Sequence, residues 1–215
     1  MITDINTRLD AVNYAIGSIG LANVPTLDMF NSDVSMANMY LDNFSRSLQN
    51  NNGYGWWFNR EYLWKFTPDP VNGQVVLPNN ALACYTFDDR GRSTKMATRG
   101  RALYDTKQHG YDMRGLVDKD GQIRTILVVQ LDFDDLPQTA KDAITRAATF
   151  KFAASAEMEV NRLKVLQAEA DDAYFQMQAE DTTQTDNNAF TDSPEIAMFV
   201  RIAGGVNANG YYGGL

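Results

Sequence analysis

With one cysteine and one histidine in 215 residues, the chain lacks the raw material of most enzyme chemistry and of covalent stapling. Cys84 has no second cysteine to pair with, so the fold must be held by packing or by assembly, as suits a reducing cytoplasm. His109 stands beside Gly110 in an expected loop, and a Ser-His-Asp or Cys-His mechanism would have to run through that one imidazole. Neither Cys-x-x-Cys nor His-Glu-x-x-His spacing occurs, which removes the usual zinc arrangements. A run of about 18 apolar residues, the minimum for a membrane-spanning helix, is missing as well. The first nine residues carry charges at amphipathic spacing where a signal peptide would have a continuous apolar stretch, so secretion by a signal peptide and membrane spanning are both unexpected.

Positive charge is also scarce. Nineteen Lys and Arg against 27 Asp and Glu give a formal charge of -8 and a pI near 4.6. A surface of that sign repels phosphate, which disfavours general nucleic-acid binding. The dense basic run Arg90, Arg92, Lys95, Arg99 and Arg101 lies in a turn-rich stretch and reads as a solvated loop. Gly17 with Gly20, and Gly53 with Gly55, complete neither a dinucleotide fingerprint nor a P-loop. Asp118-Lys119-Asp120-Gly121 lacks the further acidic ligand and the closing glutamate of a calcium loop and reads as a hairpin turn. Acids alone are plentiful. The pairs Asp88 with Asp89 and Asp132 with Asp134 leave open one chemistry, hydrolysis by two carboxylates, although adjacent acids at element ends usually serve as solvated caps. No catalytic, cofactor-binding or metal-ligating residue is assigned, and no cofactor is expected.

The chain is rich in patterned apolar residues: 44% are hydrophobic, enough for one sizeable core or two small ones. Ile5, Leu9, Val12, Ile16 and Ile19 fall on one helical stripe, Thr7 and Asp10 fit a capping box, and Gly20 stops the pattern. Ala37, Leu41, Phe44 and Leu48 predict a second helix, with Ser32 or Asp33 as its cap and residues 50–53, three asparagines and a glycine, as its end. The aromatic cluster Tyr54, Trp56, Trp57 and Phe58 must bury large faces, in the core or against a partner. Period-two runs follow at 62–66, 74–77, 82–87, 95–104 and 123–131, separated by Asn72-Gly73, Pro78, Arg99-Gly100 and Asp120-Gly121, and they predict antiparallel strands.

After the acids Asp132, Asp134 and Asp135, Pro137 suits a first helical turn. Ile144, Ala148, Phe152, Ala156, Val160, Leu163, Ala170, Tyr174 and Met177 then keep helical spacing over about 35 residues, which predicts one helix too long for a small core and in need of neighbours. Residues 182–188 read as a polar linker. Beyond them lie Ile196, Phe199, Val200 and Ile202, then a glycine-rich end with Tyr211 and Tyr212, the pattern of a tethered tail that docks on something. The expected fold class is α+β: a mainly helical bundle domain, 1–59 and 133–181, with an inserted antiparallel β domain, 60–132, and a linker and docking tail, 182–215.

Several strings, in colinear order, resemble one family, the tail tubular protein A of podoviruses, also called the head-to-tail adaptor or connector. They are Ala11-Val12-Asn13 through Ser18-Ile19-Gly20 to Val24-Pro25-Thr26-Leu27; Ala37-Asn38 on to Gly55-Trp56-Trp57-Phe58-Asn59; Thr98-Arg99-Gly100-Arg101-Ala102-Leu103-Tyr104-Asp105; and Leu131-Asp132-Phe133-Asp134-Asp135-Leu136-Pro137, with the acid-rich stretch 167–172. The resemblance covers residues 5–192, and the tail beyond Asp192 has no counterpart in it.

The resemblance implies a structural virion protein of the tail, made in the bacterial host cytoplasm. It implies a dodecameric ring between the portal protein and the tail nozzle protein (tail tubular protein B), with tail fibres as a further candidate partner. Double-stranded DNA would pass through the lumen without sequence-specific binding, and no membrane partner is implied. Ile196, Phe199, Val200, Ile202, Tyr211 and Tyr212 are the candidate docking residues. A virion-borne polysaccharide hydrolase and a generic helical binding module are the competing readings.

Overall fold

Residues 5–27, 30–87, 94 and 96–186 are described by the structure, a computed structural model. Helix α1 (Arg8–Ser18) starts as its sequence predicts: Thr7 accepts from the Asp10 amide, and the Asp10 carboxylate accepts from the Thr7 amide in return. It ends with Gly20 at a φ of 87°, and the Leu21 amide reaches back to the Ile16 carbonyl, a left-handed close that glycine adopts without a Cβ penalty. Helix α2 (Ser32–Asn50) is capped one residue earlier than expected, by Asn31, whose side chain accepts from the Asp33 and Val34 amides. Its asparagine-rich end behaves as predicted, with Asn51 in the left-handed region at a φ of 42°.

The expected single long helix is two. Helix α3 (Gln138–Ser155) stops, and helix α4 (Val160–Asp186) begins after a four-residue turn. At that turn Met158 donates to the Ala153 carbonyl and Glu157 to Ala154, the paired bonds of a Schellman close, with Glu157 at a φ of 55° where glycine usually sits. Because α4 folds back beside α3, each supplies the other's lateral neighbour, and the need for partners inferred from one overlong rod does not follow. A further correction concerns 182–186, read as linker but helical, with the Thr182 and Thr183 hydroxyls bonding back to the carbonyls of Gln178 and Ala179. Pro137 stands at the N-cap of α3, while Asp134 and Asp135 belong to a preceding 3-10 turn. Asp134 instead serves a different helix, accepting from the Arg8 amide at 2.8 Å in the first turn of α1.

Between α2 and α3 the chain forms a three-stranded antiparallel sheet in the order β1-β5-β2, from β1 (Arg60–Phe66), β2 (Ala81–Phe87) and β5 (Ile123–Val129). A hairpin of β3 (Met96–Arg99) and β4 (Ala102–Asp105) turns at Gly100. The run 74–77 forms no strand and meets β4 only at a single bridge, Val76 to Ala102. Its alternation is nonetheless real: Val75 and Leu77 are buried and Val76 is exposed. The whole is an α+β fold with substantial helical content.

Two apolar clusters result. One joins α1, α2, α3 and α4 around Ile16, Leu41, Ile144, Phe152 and Met177. The other lies under the strands around Val75, Leu103, Met113, Ile123 and Leu127. Leu131 touches both.

Candidate assembly surface

The aromatic motif after α2 is core on one side and surface on the other. Trp56 is buried, donates its indole N–H to the Leu48 carbonyl and meets the Tyr174 ring edge-on at 6.1 Å. Trp57 stacks edge-on against Phe58 at 4.9 Å and its amide donates to Asp181 of α4. Tyr54 is exposed.

Beneath the motif lies a fully buried polar knot. Asn59 donates to the carbonyls of Gln49 and Val129, each at 2.9 Å, and accepts from the Trp56 amide at 2.7 Å. Gln49 exchanges bonds with both the N–H and the C=O of Leu131. These amides satisfy the backbone groups exposed where helix gives way to strand, groups that burial would otherwise leave unpaired. Gly55 is required there: its φ is +64°, and a Cβ would stand 2.8 Å from a Val128 methyl and 2.9 Å from the Asn59 side-chain oxygen.

Between α2, α3 and α4 runs an open groove of about 400 Å³. Its floor is small side chains, Ala143, Ala147 and Ala170; Phe44, Trp56, Phe150 and Tyr174 form its walls, and Lys151 and Asp171 stand at its rim. Nearby, Arg146 donates to Glu169 and to the Tyr14 hydroxyl, each at 3.1 Å, tying α3 and α4 to α1. Burial pushes the Tyr14 phenol above its ordinary pKa, partly opposed by the Arg146 charge. Elsewhere β1 is a sheet edge carrying exposed Tyr62, Leu63 and Trp64, with a bulge at Leu63, whose φ is 55°. The α1–α2 connection exposes Leu21, Leu27 and Phe30.

None of these places converges catalytic groups. His109 is an exposed turn residue at a φ of 54°. The Asp118 carboxylate is taken up by the amides of Gln122 and Asp120 and by Arg124, which hold its pKa low; the turn leads into β5 from a 3-10 turn and joins no hairpin, unlike the sequence expectation. Asp112 is held at about 2 by the Arg114 guanidinium and amide beside it. Among the described residues no group of three or more His, Cys, Asp and Glu could hold a metal ion, and no helix is long and apolar enough to cross a membrane. Asp132 precedes a 3-10 turn that contains Asp134, and Asp134 accepts from the Arg8 amide of α1. Asp88, Asp89, Arg90, Arg92, Lys95 and all six candidate docking residues lie outside the described residues. Of the basic run, Arg99 covers the Tyr104 ring and Arg101 bonds the Leu77 carbonyl.

Cys84 is the chain's one thiol. Burial pushes its thiol up to about 11, against a smaller opposing bond from Thr125. The thiolate is the reactive form, and its loss is partly offset by the greater nucleophilicity of a more basic thiolate, so a disulfide-exchange reagent at pH 8 is expected to modify the native chain roughly 10-fold more slowly than the urea-unfolded chain. Equal rates measured by absorbance would show an accessible, ordinary thiol instead.

The sequence missed the groove because it forms only when α4 returns along α3. The alanine spacing 143, 147 and 170 was the available sign, masked by the reading of one continuous helix.

The family model described as "Tail tubular protein" matches residues 9–194. A curated relative, "Tail tubular protein A" of Klebsiella phage KP34, is 28% identical over 133 residues, covering 62% of this chain and 64% of the relative's length. The matched region thus spans a little under two thirds of that relative.

Proposed function

The chain belongs to the tail tubular protein family, a structural component of the phage virion tail, and from that premise we propose that it builds an adaptor ring joining the portal to the tail nozzle. The observation that carries the proposal is the family match across residues 9–194, which takes in all four helices and the strands between them. The division into helical parts, 1–59 and 133–181, an inserted β domain, 60–132, and a C-terminal docking tail belongs to the same reading. The ring is dodecameric, as the family resemblance implies. Tail tubular protein B, the nozzle, is the partner on the far side, and tail fibres are a further candidate.

Ejected DNA passes through the lumen. The acidic balance of the chain supports this, because a wall that repels phosphate lets a duplex slide without adhering. The C-terminal residues Ile196, Phe199, Val200, Ile202, Tyr211 and Tyr212 form the segment that docks on a neighbouring subunit or on the portal.

Electron microscopy of the protein mixed with purified portal tests the assignment. A coaxial ring of this protein on the portal is the expected result, and portal particles free of added density would overturn it. Deleting residues 193–215 should weaken ring formation while leaving the circular dichroism of the fold unchanged.

A further inference from the structure

Taking the tail as the docking segment of that reading, we propose that in the unassembled subunit residues 195–202 seat in the subunit's own groove between α2, α3 and α4. The groove has an occupant's chemistry built into it. Trp56, Phe150 and Tyr174 give it apolar walls, and alanines at 143, 147 and 170 hollow its floor. Its volume, about 400 Å³, falls within the roughly 300 to 1,000 Å³ of sites that enclose a small ligand or a few side chains.

The segment matches this in both polarity and charge. Glu195 and Arg201 bracket Ile196, Ala197, Met198, Phe199 and Val200, while the rim offers Lys151 from α3 and Asp171 from α4. Neither rim charge belongs to an ion pair among the described residues. An acid and a base flanking an apolar run thus meet a base and an acid flanking an apolar trough.

The tether is long enough. From Tyr174, at the groove, to Asp186, at its C-terminal end, α4 advances about 18 Å at 1.5 Å per residue. Residues 187–194 can span up to about 26 Å when extended. A short tether holds its end at an effective concentration of order millimolar, well above that of free subunits in solution, so the subunit's own groove is filled before a neighbour's.

Trypsin reads the occupancy, because Arg201 is the only Lys or Arg after Lys164. Cleavage there releases residues 202–215, which mass spectrometry counts. Cleavage of a docked segment tracks the fraction of time it is undocked, so the full chain without portal should be cut at Arg201 at least about 10-fold more slowly than a free peptide of residues 190–210. That protection should not depend on protein concentration. Phe199→Ser, outside the described helices, and Ala147→Glu, on the groove floor, should each restore the peptide's rate.

Equal rates for chain and peptide would overturn the proposal, as would protection that survives both variants. Protection that grows with protein concentration would overturn the placement within one subunit in favour of exchange between subunits. The assay contains no portal, so its failure leaves the ring reading standing, and failure of the microscopy leaves this result standing.

Discussion

Replacing Asn59 by alanine is expected to cost the fold about 3 to 5 kcal/mol, the largest loss from any single polar side chain described above. The substitution removes one amide but strands three backbone groups: the carbonyls of Gln49 and Val129 and the N–H of Trp56. Asn59 has no exposed surface, so water cannot take its place without opening the structure. Each stranded buried group costs roughly 1 to 3 kcal/mol, a large share of the 5 to 15 kcal/mol that typically holds a domain together.

The position of the loss matters as much as its size. Asn59 joins the end of α2 to the end of β5, at the junction of the two apolar clusters. Urea unfolding of Asn59→Ala should therefore broaden or split into two transitions. A single transition within about 1 kcal/mol of the parent would show that the knot is dispensable.

Phe152→Ala should cost a similar amount, about 3 to 5 kcal/mol, by a different route. Phe152 is 1% exposed on α3, within the cluster that also holds Ile16, Ile144 and Met177. Truncation removes the ring's transfer free energy and leaves a void among helices on several sides, where the surrounding backbone has little room to collapse. Phe175→Ala is the internal control: that ring, on α4, is 66% exposed, and its loss should change stability by no more than about 0.5 kcal/mol. Midpoints at an unchanged denaturant slope compare the two. A Phe152→Ala cost below about 1 kcal/mol would mean the helical core is not where stability resides.

How far these features could be read from the residues depended on the range of the interactions that fix them. The capping box of Thr7 and Asp10 involves neighbours three apart, and it folds as the pattern predicts. So does the left-handed close at Gly20. At Glu157 the same Schellman geometry occurs without glycine, and the apolar spacing of 144–177 continues across it, so nothing local announces the turn. What fixes that turn is the burial gained when Leu166, Ala170, Ala173 and Met177 of α4 reach α3 and its neighbours, a long-range term that periodicity cannot register. Asn31 took the cap from Ser32 and Asp33 because its side-chain oxygen reaches two amides at once.

The strand at 74–77 failed for a related reason. Its inward residues are buried as predicted, but Pro78 follows immediately and ladder pairing never extends beyond one bridge. The aromatic motif was legible as something that must be buried. That it lines a groove was not, because the opposite wall comes from α4. Family identity was the most legible property of all, since colinear local strings survive without knowledge of how distant parts meet.

The bonds between Asn59 and Val129, amide to carbonyl in both directions at 3.0 and 2.9 Å, hold side by side the two points where the chain leaves the helices and rejoins them. Seen from the helical scaffold, the intervening sixty-nine positions are a loop closed at that clasp. Lengthening, shortening or exchanging what hangs there leaves the span between the attachment points unchanged, and each doubling of such a loop adds only about 0.6 kcal/mol of closure entropy. The scaffold thereby fixes the loop's two ends, and a graft from a relative would need to keep Asn59 and Val129 at the clasp and the close fit of position 128 against Gly55.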